Sequence, residues 1–546
     1  MSGTALVVGG GIAGLLSARR LHQAGWDVTL AEATSVLGGA LSSRFLDVPS
    51  VSQSGTGCTQ ALELDGGAES FAVRGTAVRA LLEELGLGGR LVAPAPLGSW
   101  LHGPEATVPA PRLGLLGIPG DLDADDLARA LSPAGLERAR ADAHAPMDRW
   151  TEALAAGRPV TVAELVADRM GEEVLTRLVG PVVGGVHSAD PAVVDVERVA
   201  PGLLAAAVAQ GGLAAGVAAL RGGATPGAAV AGLEGGMNRL TTRLVESLRE
   251  DGVTVLRGVR VAALSRVGEG WWAQISDRDD EVVRGLDVDR VVLAVDGSTA
   301  WDLLSPLSHG VLGEADGPAL SDGVALATFV VDAPGLDAAP RGTGVLVAEG
   351  TDVAAKALTH ATVKWDWLRD VVARPGADGE PRHPHRHVLR LSYGRHGGGD
   401  EQLGPRSGDE ELLTQGLADA AALTGVPLAE QDVVARAVTR WRHSIPPQAG
   451  PIGRPPTRCS HGPRPCRAWT RWEAGCTGPA WPPSWPGWRP CSRPTVPTVP
   501  EPIWTQRRRT TRRTRTEHHD PGRDHHSCRR RQGLVHHLYD VRPPAG

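Results

Sequence analysis

The stretch TALVVGGGIAGLLSARRLHQAGWDVTLAEA, residues 4–33, constrains this chain more than any other. Ala5 to Val8 read as a short buried strand, and Ala13 to Ala24 carry helical spacing up to Gly25 as a stop. Gly9, Gly11 and Gly14 between and within them satisfy G-x-G-x-x-G, and Val28 to Ala31 form a second strand ending at Glu32. Each glycine has a job: Gly9 permits a tight turn, Gly11 lets backbone approach a pyrophosphate, and Gly14 lets helix and strand pack closely. The helix N-terminus at Ile12 and Ala13 then offers unpaired N–H groups and a partial positive charge to phosphate. Glu32, eighteen residues after Gly14, can accept hydrogen bonds from ribose hydroxyls, and its charge disfavours a 2'-phosphate. In a chain with 70 glycines the glycine spacing alone is weak evidence. The strand, the helix and the acid in register make it a dinucleotide-binding unit.

FAD or NAD is the next choice. EATSVLGG, residues 32–39, follows at once and can bring Gly38 and Gly39 against the cofactor a second time, an extension typical of flavoproteins. Composition agrees with a globular protein: 546 residues allow two or three domains, with 22% charged and 42% hydrophobic residues. A formal net charge of -6 predicts no polyanion partner. Cys58 is the single cysteine before residue 451, which points to a reducing compartment without a disulfide framework. Met1 to Thr4 run straight into the first strand with no cleavable apolar segment, so a cytoplasmic protein is expected. The longest uncharged run, Leu203 to Leu220, is broken by Gln-Gly-Gly and reads as two buried helices, not a membrane span.

Residues 1 to about 450 resemble the flavin-dependent porphyrinogen oxidases, the coproporphyrinogen III and protoporphyrinogen oxidases. VVGGGIAGLLSARRL and EATSVLGG are shared with the wider amine oxidase and phytoene desaturase superfamily. LDGGAESFAVRGTAVRALLEELGL, residues 64–87, resembles the second cofactor segment, and TVAELVADRMGEEVLTRLVGPVVGGVHSADP, residues 161–191, is the most discriminating match. LEGGMNRLTTRLVESL, VTVLRGVRVAALS and VTRWRHSIPPQ follow in the family's order. The resemblance implies an α/β architecture, a Rossmann-like FAD-binding domain with an inserted α+β substrate domain. Residues 1–90, 225–300 and 436–450 would form the discontinuous FAD domain, and 91–224 and 301–435 would cover the substrate. Arg290 to Val295 read as a buried strand, and Asp121 to Ala156 carry mostly helical spacing.

Residue roles follow from the same resemblance. Gly9, Gly11, Ile12, Ala13, Gly14, Glu32 and Ala33 match the ADP-binding segments; Gly39, Ala40, Gly67 and Ala68 match segments lying along the flavin. Val261 matches a position whose backbone meets the adenine, and Trp441 one near the isoalloxazine. Arg74 falls where a guanidinium could hold a substrate carboxylate bidentately; the structural alternative is an exposed arginine at a helix start. His187 is considered as a base, against the commoner role of a packed or solvated histidine. The family usually carries a basic residue soon after Gly38-Gly39, where this chain has ALSSR, so Arg44 either replaces it in a shifted register or that phosphate contact is absent.

The implied reaction is oxidation of coproporphyrinogen III, or protoporphyrinogen IX, to the porphyrin in heme biosynthesis. Hydride leaves a bridging methylene for flavin N5, a proton leaves a pyrrole nitrogen, and three rounds complete the aromatic ring, with oxygen reoxidising the flavin to give peroxide. No catalytic side chain is assigned, because the cofactor carries the hard step and the protein supplies position. No Ser/His/Asp triad, P-loop or metal-spaced cluster competes in residues 1–450. The partners are thus the porphyrinogen and oxygen, with transient contact to other heme-pathway enzymes, no nucleic acid, no transmembrane segment and no metal. The other readings are a different flavin amine or carotenoid oxidoreductase, and a catalytically impaired relative with a basic interaction tail.

That last reading comes from residues 451–546, which carry eighteen Arg, no Lys and six Asp or Glu, about +12 against about -18 for the rest. Five tryptophans crowd between Trp469 and Trp488, and nothing there resembles the family's closing G-x-G-hydrophobic turn. Tryptophan has only the codon TGG, so a frame one base earlier reads NTG at each, for Leu, Val or Met. In that frame Trp469-Thr470 forces Asp, Trp472-Glu473 forces Gly, and Trp481-Pro482 and Trp485-Pro486 each force Ala. Permitted choices for the remaining bases restore G-T-G-L-A-A. A frameshift between about residues 445 and 456 is expected, leaving a disordered out-of-frame tail. The rival is a real Arg-rich tail binding nucleic acid or metal, but its cysteine gaps are irregular and no Cys-x-x-Cys occurs.

Overall fold

A computed structural model describes residues 3–51, 57–73, 75–112, 114–222, 230–277, 281–308, 323–373, 383–395 and 402–442. Arg74 and the whole segment 443–546, where the frameshift and the tail are expected, lie outside the described residues.

Residues Thr4 to Glu32 build what the glycine pattern asks for. Strand β1 (Thr4–Val8) enters helix α1 (Ile12–Gln23), and strand β2 (Asp27–Glu32) returns beside β1 in parallel register, Ala5 opposite Val28 and Val8 opposite Ala31. Gly25, at φ +87°, turns the chain between α1 and β2. Two distant strands complete a four-stranded parallel sheet: Thr254–Arg257 pairs with β2, and Arg290–Leu293 pairs with β1. The buried strand expected over Arg290 to Val295 is shorter, Arg290–Leu293, and only half-buried. Its place explains this, because it is the edge of the sheet, with β1 on one side only. Helix Asn238–Glu250 packs beside α1, placing Leu240, Leu244 and Leu248 with Leu15, Ala18 and Leu30 in one core.

A seven-stranded sheet forms the second body. Its order is Val433–Trp441, Val324–Asp332, Arg386–Tyr393, Ala357–His360, Gly344–Val347, Trp100–His102 and Thr107–Pro109. Strand alternation gives it two faces. Phe329, Leu389, Leu391 and Tyr393 pack under helix Asp409–Thr424 with Leu412, Ala420 and Leu423. On the other face Val330, Val388 and Ala437 meet Leu46, Leu62 and Leu64 of the Ser43–Val51/Gly57–Asp65 hairpin and Trp365.

The third core is helical. Helices Pro133–Arg140, Asp148–Ala155, Val162–Met170 and Gly180–His187 gather around Trp150, Leu165, Met170 and Leu178. Leu203–Gln210 and Leu213–Arg221 are the two helices expected from the Gln-Gly-Gly break, bent by 116°. They pack so closely that a Cβ on Gly216 would meet the Ala207 backbone at 2.6 Å. Among the described residues no single helix is long and apolar enough to cross a membrane. The buried pair Arg169–Asp142, 2.6 Å apart and each 1% exposed, ties the helices together. Arg169 also donates to the Ala145 and Pro146 carbonyls, and Asp142 accepts the Ala214 N–H.

Candidate functional site

A glycine-rich path, a trough where Gly11 leaves space open, runs from the end of β2 to the end of the seven-stranded sheet. It begins at Glu32, whose carboxylate accepts the Gly10 N–H at 2.7 Å and both the N–H and hydroxyl of Thr34, at 2.8 and 2.7 Å. A carboxylate has about four acceptor sites, so one is left for a ribose hydroxyl. Gly258 and Val259 donate to the Thr34 and Glu32 carbonyls, at 2.9 and 3.0 Å. Buried Val261 lies two residues on, next to a register shift in its strand Arg260–Val267. Ala33 is exposed at the lip.

The trough's middle is the mouth of α1. Ile12 and Ala13 form its first turn, Gly11 caps it without a side-chain hydrogen bond, and no acidic residue stands in that turn. Gly14 lies against β1's end so tightly that a Cβ would collide with the Gly9 carbonyl oxygen. At Gly11, by contrast, a Cβ would meet nothing nearer than the Gly39 Cα at 3.9 Å. The space that Gly11 leaves is bounded by Gly38, whose N–H bonds the Gly10 carbonyl at 2.8 Å. An uncapped helix mouth, an open glycine and a free acceptor at one end fit a dinucleotide with its pyrophosphate over Gly11.

The far end carries the residues expected along the redox ring. Ala68 N–H bonds the Ala40 carbonyl at 2.8 Å, which ties the second glycine segment to the first. A Cβ on Gly67 would strike that same carbonyl and press on the Trp441 indole. Trp441 donates its indole N–H to the Gly66 carbonyl at 3.1 Å. Thus Gly9, Gly11, Gly14, Glu32, Gly39, Ala40, Gly67, Ala68, Val261 and Trp441 fall along one path, although they span 433 positions of sequence. Arg44 is exposed on strand Ser43–Val51, opposite Leu64. His187 ends helix Gly180–His187 half-buried, and burial lowers its basicity.

Three charged residues that the motifs did not single out stand behind Gly67. Glu69 holds Lys364 Nζ at 2.5 Å and an Arg390 terminal nitrogen at 3.1 Å, and the other Arg390 terminal nitrogen donates to the Gly67 carbonyl at 2.7 Å. Burial alone would raise the Glu69 carboxyl, but the two cations pull it below the ordinary carboxylate range. Lys364 carried a signal, being one of only two lysines among 56 Lys and Arg. The other, Lys356, is 1% exposed and donates to Ser188 Oγ and the Gly394 carbonyl. Burial, and then Arg395, lower it to about 7.

A sequence profile for flavin-containing amine oxidoreductases matches residues 12–455. The chain belongs to that family. Among curated relatives of this flavin amine oxidoreductase, the coproporphyrinogen III oxidase of Mycobacterium leprae is 31% identical over 451 residues, covering 82% of this chain and 88% of that one. The coproporphyrinogen III oxidase of Mycobacterium tuberculosis H37Rv is 32% identical over 454 residues, covering 82% and 87%. The resemblance to porphyrinogen oxidases therefore holds along the chain. A crystal structure assigned as a protoporphyrinogen oxidase from Exiguobacterium has the same fold, with a TM-score of 0.64 at 23% identity over 82% of this chain and 88% of that one. A flavin is thus the group this family's trough takes, and the α/β fold is that of the family.

Proposed function

We propose that this flavin amine oxidoreductase binds FAD and oxidises coproporphyrinogen III to coproporphyrin III, with oxygen as final acceptor, in heme synthesis. The observation that carries the reading is the unbroken path from Glu32 to Trp441, joined by the hydrogen bonds Gly38–Gly10, Ala68–Ala40 and Trp441–Gly66. Bound FAD would be held with its pyrophosphate at α1, its ribose at Glu32 and its redox ring beside Gly66, Gly67 and Trp441. The relatives' names support the substrate, and protoporphyrinogen IX is the second choice.

Bound FAD would supply a two-electron acceptor for hydride. This chain's residues would orient the ring and shield it from water. Arg74 is proposed for a substrate carboxylate, and residues 1–90, 225–300 and 436–450 for the cofactor domain, with 91–224 and 301–435 around the substrate. A cytoplasmic setting and transient contact with other heme-pathway enzymes belong to the same proposal. Purified protein should be yellow, and under air it should turn coproporphyrinogen III into a fluorescent product with three peroxides per porphyrin. A yellow protein inert toward both porphyrinogens yet active on an amine would sink the substrate.

A second reading is favoured by one observation: the family match stops at residue 455, and the 91 residues beyond it are the Arg-rich, Trp-rich segment. If that segment is translated as written, the cofactor site lacks its closing turn and flavin affinity drops. Resequencing codons 440 to 495 decides. A one-base correction restoring G-T-G-L-A-A removes the tail, whereas an unchanged sequence and colourless protein support the impaired relative.

A further inference from the structure

Behind Gly67, Glu69 pairs with two cations, Lys364 and Arg390. The three side chains come from distant elements: Glu69 after strand Gly57–Asp65, Lys364 at the end of helix Ala361–Lys364, and Arg390 within strand Arg386–Tyr393. Arg390 is 9% exposed and Glu69 and Lys364 are largely covered, with side-chain exposures of 14% and 19%. Two cations thus share one carboxylate. A second buried carboxylate, Asp65, accepts the Met237 and Asn238 N–H groups and the Asn238 amide, and the Arg390 charge reaches it too. Burial raises the Asp65 carboxyl, against the pull of those N–H groups.

The geometry also leaves a donor over. Arg390 spends one terminal nitrogen on Glu69 and the other on the Gly67 carbonyl, while its buried Nε has no partner. A buried guanidinium whose Nε goes unpaired costs free energy, and here it is fixed to the carbonyl of a residue on the glycine path. A redox ring lying on Gly67 supplies the reason. Its oxidised form is neutral, whereas its reduced form gains negative charge whenever fewer protons than electrons arrive. A fixed positive charge beside it therefore favours the reduced form, and the low local dielectric enlarges the effect.

We propose that Lys364, Glu69 and Arg390 act together as the positioning group that sets the reduction potential of flavin bound at Gly67. The proposal rests on the flavin reading above and goes beyond it by assigning a role to three side chains that the resemblance gave none. Lys364 and Arg390 raise the potential, Glu69 lowers it, and the balance fixes how readily the bound cofactor accepts hydride.

The test uses sign. The midpoint potential of flavin bound to the full chain is measured by equilibration with a reference dye in the native protein and in Lys364→Met, Glu69→Gln, the double variant and Lys364→Arg. At fixed applied potential, Lys364→Met should lower the reduced-to-oxidised ratio about tenfold and Glu69→Gln should raise it about tenfold, each about 30 mV for two electrons. The double variant and Lys364→Arg should return toward the native value. Lys364→Gln substitutes if Lys364→Met does not fold. Shifts of the same sign in both neutral variants, or no shift, overturn the proposal while leaving flavin binding intact. A native chain that takes up no flavin overturns the flavin reading and this inference with it, so the two failures look different.

Discussion

Trp441 and Gly66 lie 375 positions apart, yet the indole N–H of one and the carbonyl of the other meet at 3.1 Å. That bond joins the last described strand of the large sheet to the loop that follows the hairpin, at the end of the trough where the redox ring is proposed. Trp441→Phe keeps the apolar plate against Gly67 and removes only the donor. It should cost about 1 kcal/mol of stability. Flavin release, followed by fluorescence on dilution, should quicken modestly in Trp441→Phe and strongly in Trp441→Ala.

Gly14→Val tests the other end. The new side chain must push the Gly9 carbonyl and β1 away from α1, an overpacking cost of about 1–3 kcal/mol. The expected result is protein purified without its visible flavin bands and with a lowered melting temperature. Full yellow occupancy would mean that α1 does not pack as described.

The helical body offers a test independent of any cofactor. Asp142→Ala strips the buried partner from Arg169 and leaves the Ala214 N–H without its acceptor. Removing one member of a buried ion pair costs about 3–5 kcal/mol. Urea midpoints of native and variant protein should differ accordingly, whereas Asp123→Ala, whose partner Arg140 is half-exposed, should shift the midpoint by less than about 1 kcal/mol.

Acid should weaken the large sheet through His360. Its ring meets His387 at 3.0 Å, and His387 in turn meets Asp337 at 3.0 Å. Burial, and then His387, lower His360 to about 3. Between about pH 6.5 and 3 the unfolded chain binds a proton there that the folded chain refuses. Stability is therefore whole above pH 6.5 and falls as pH drops through that window, by on the order of 1 kcal/mol per pH unit. His360→Gln should flatten that slope in denaturant titrations at pH 7, 6 and 5, and an unchanged slope would rule the residue out.

Much of the trough was legible because its physics is local. Gly9, Gly11, Gly14 and Glu32 sit within one strand–helix–strand unit, and their spacing is dictated by turn geometry and helix packing. Trp441 and Val261 came only through resemblance, because nothing in their own neighbourhoods says what they will touch. Glu69, Lys364 and Arg390 escaped for the same reason: charge pairing across 295 and 321 positions leaves no periodicity in the sequence. The edge position of Arg290–Leu293 was likewise hidden, since an apolar run of four residues looks alike at the centre and the rim of a sheet.

The strand that opens the protein waits long for its second neighbour. The Thr4 N–H reaches the carboxylate of Asp289, 285 positions later, just ahead of the strand that pairs with β1. At a synthesis rate of roughly 5–20 residues per second, β1 leaves the ribosome on the order of tens of seconds before that neighbour exists. Throughout that interval an apolar strand with an open edge is presented to the cell, and the nascent chain depends on α1, β2 or a chaperone to cover it.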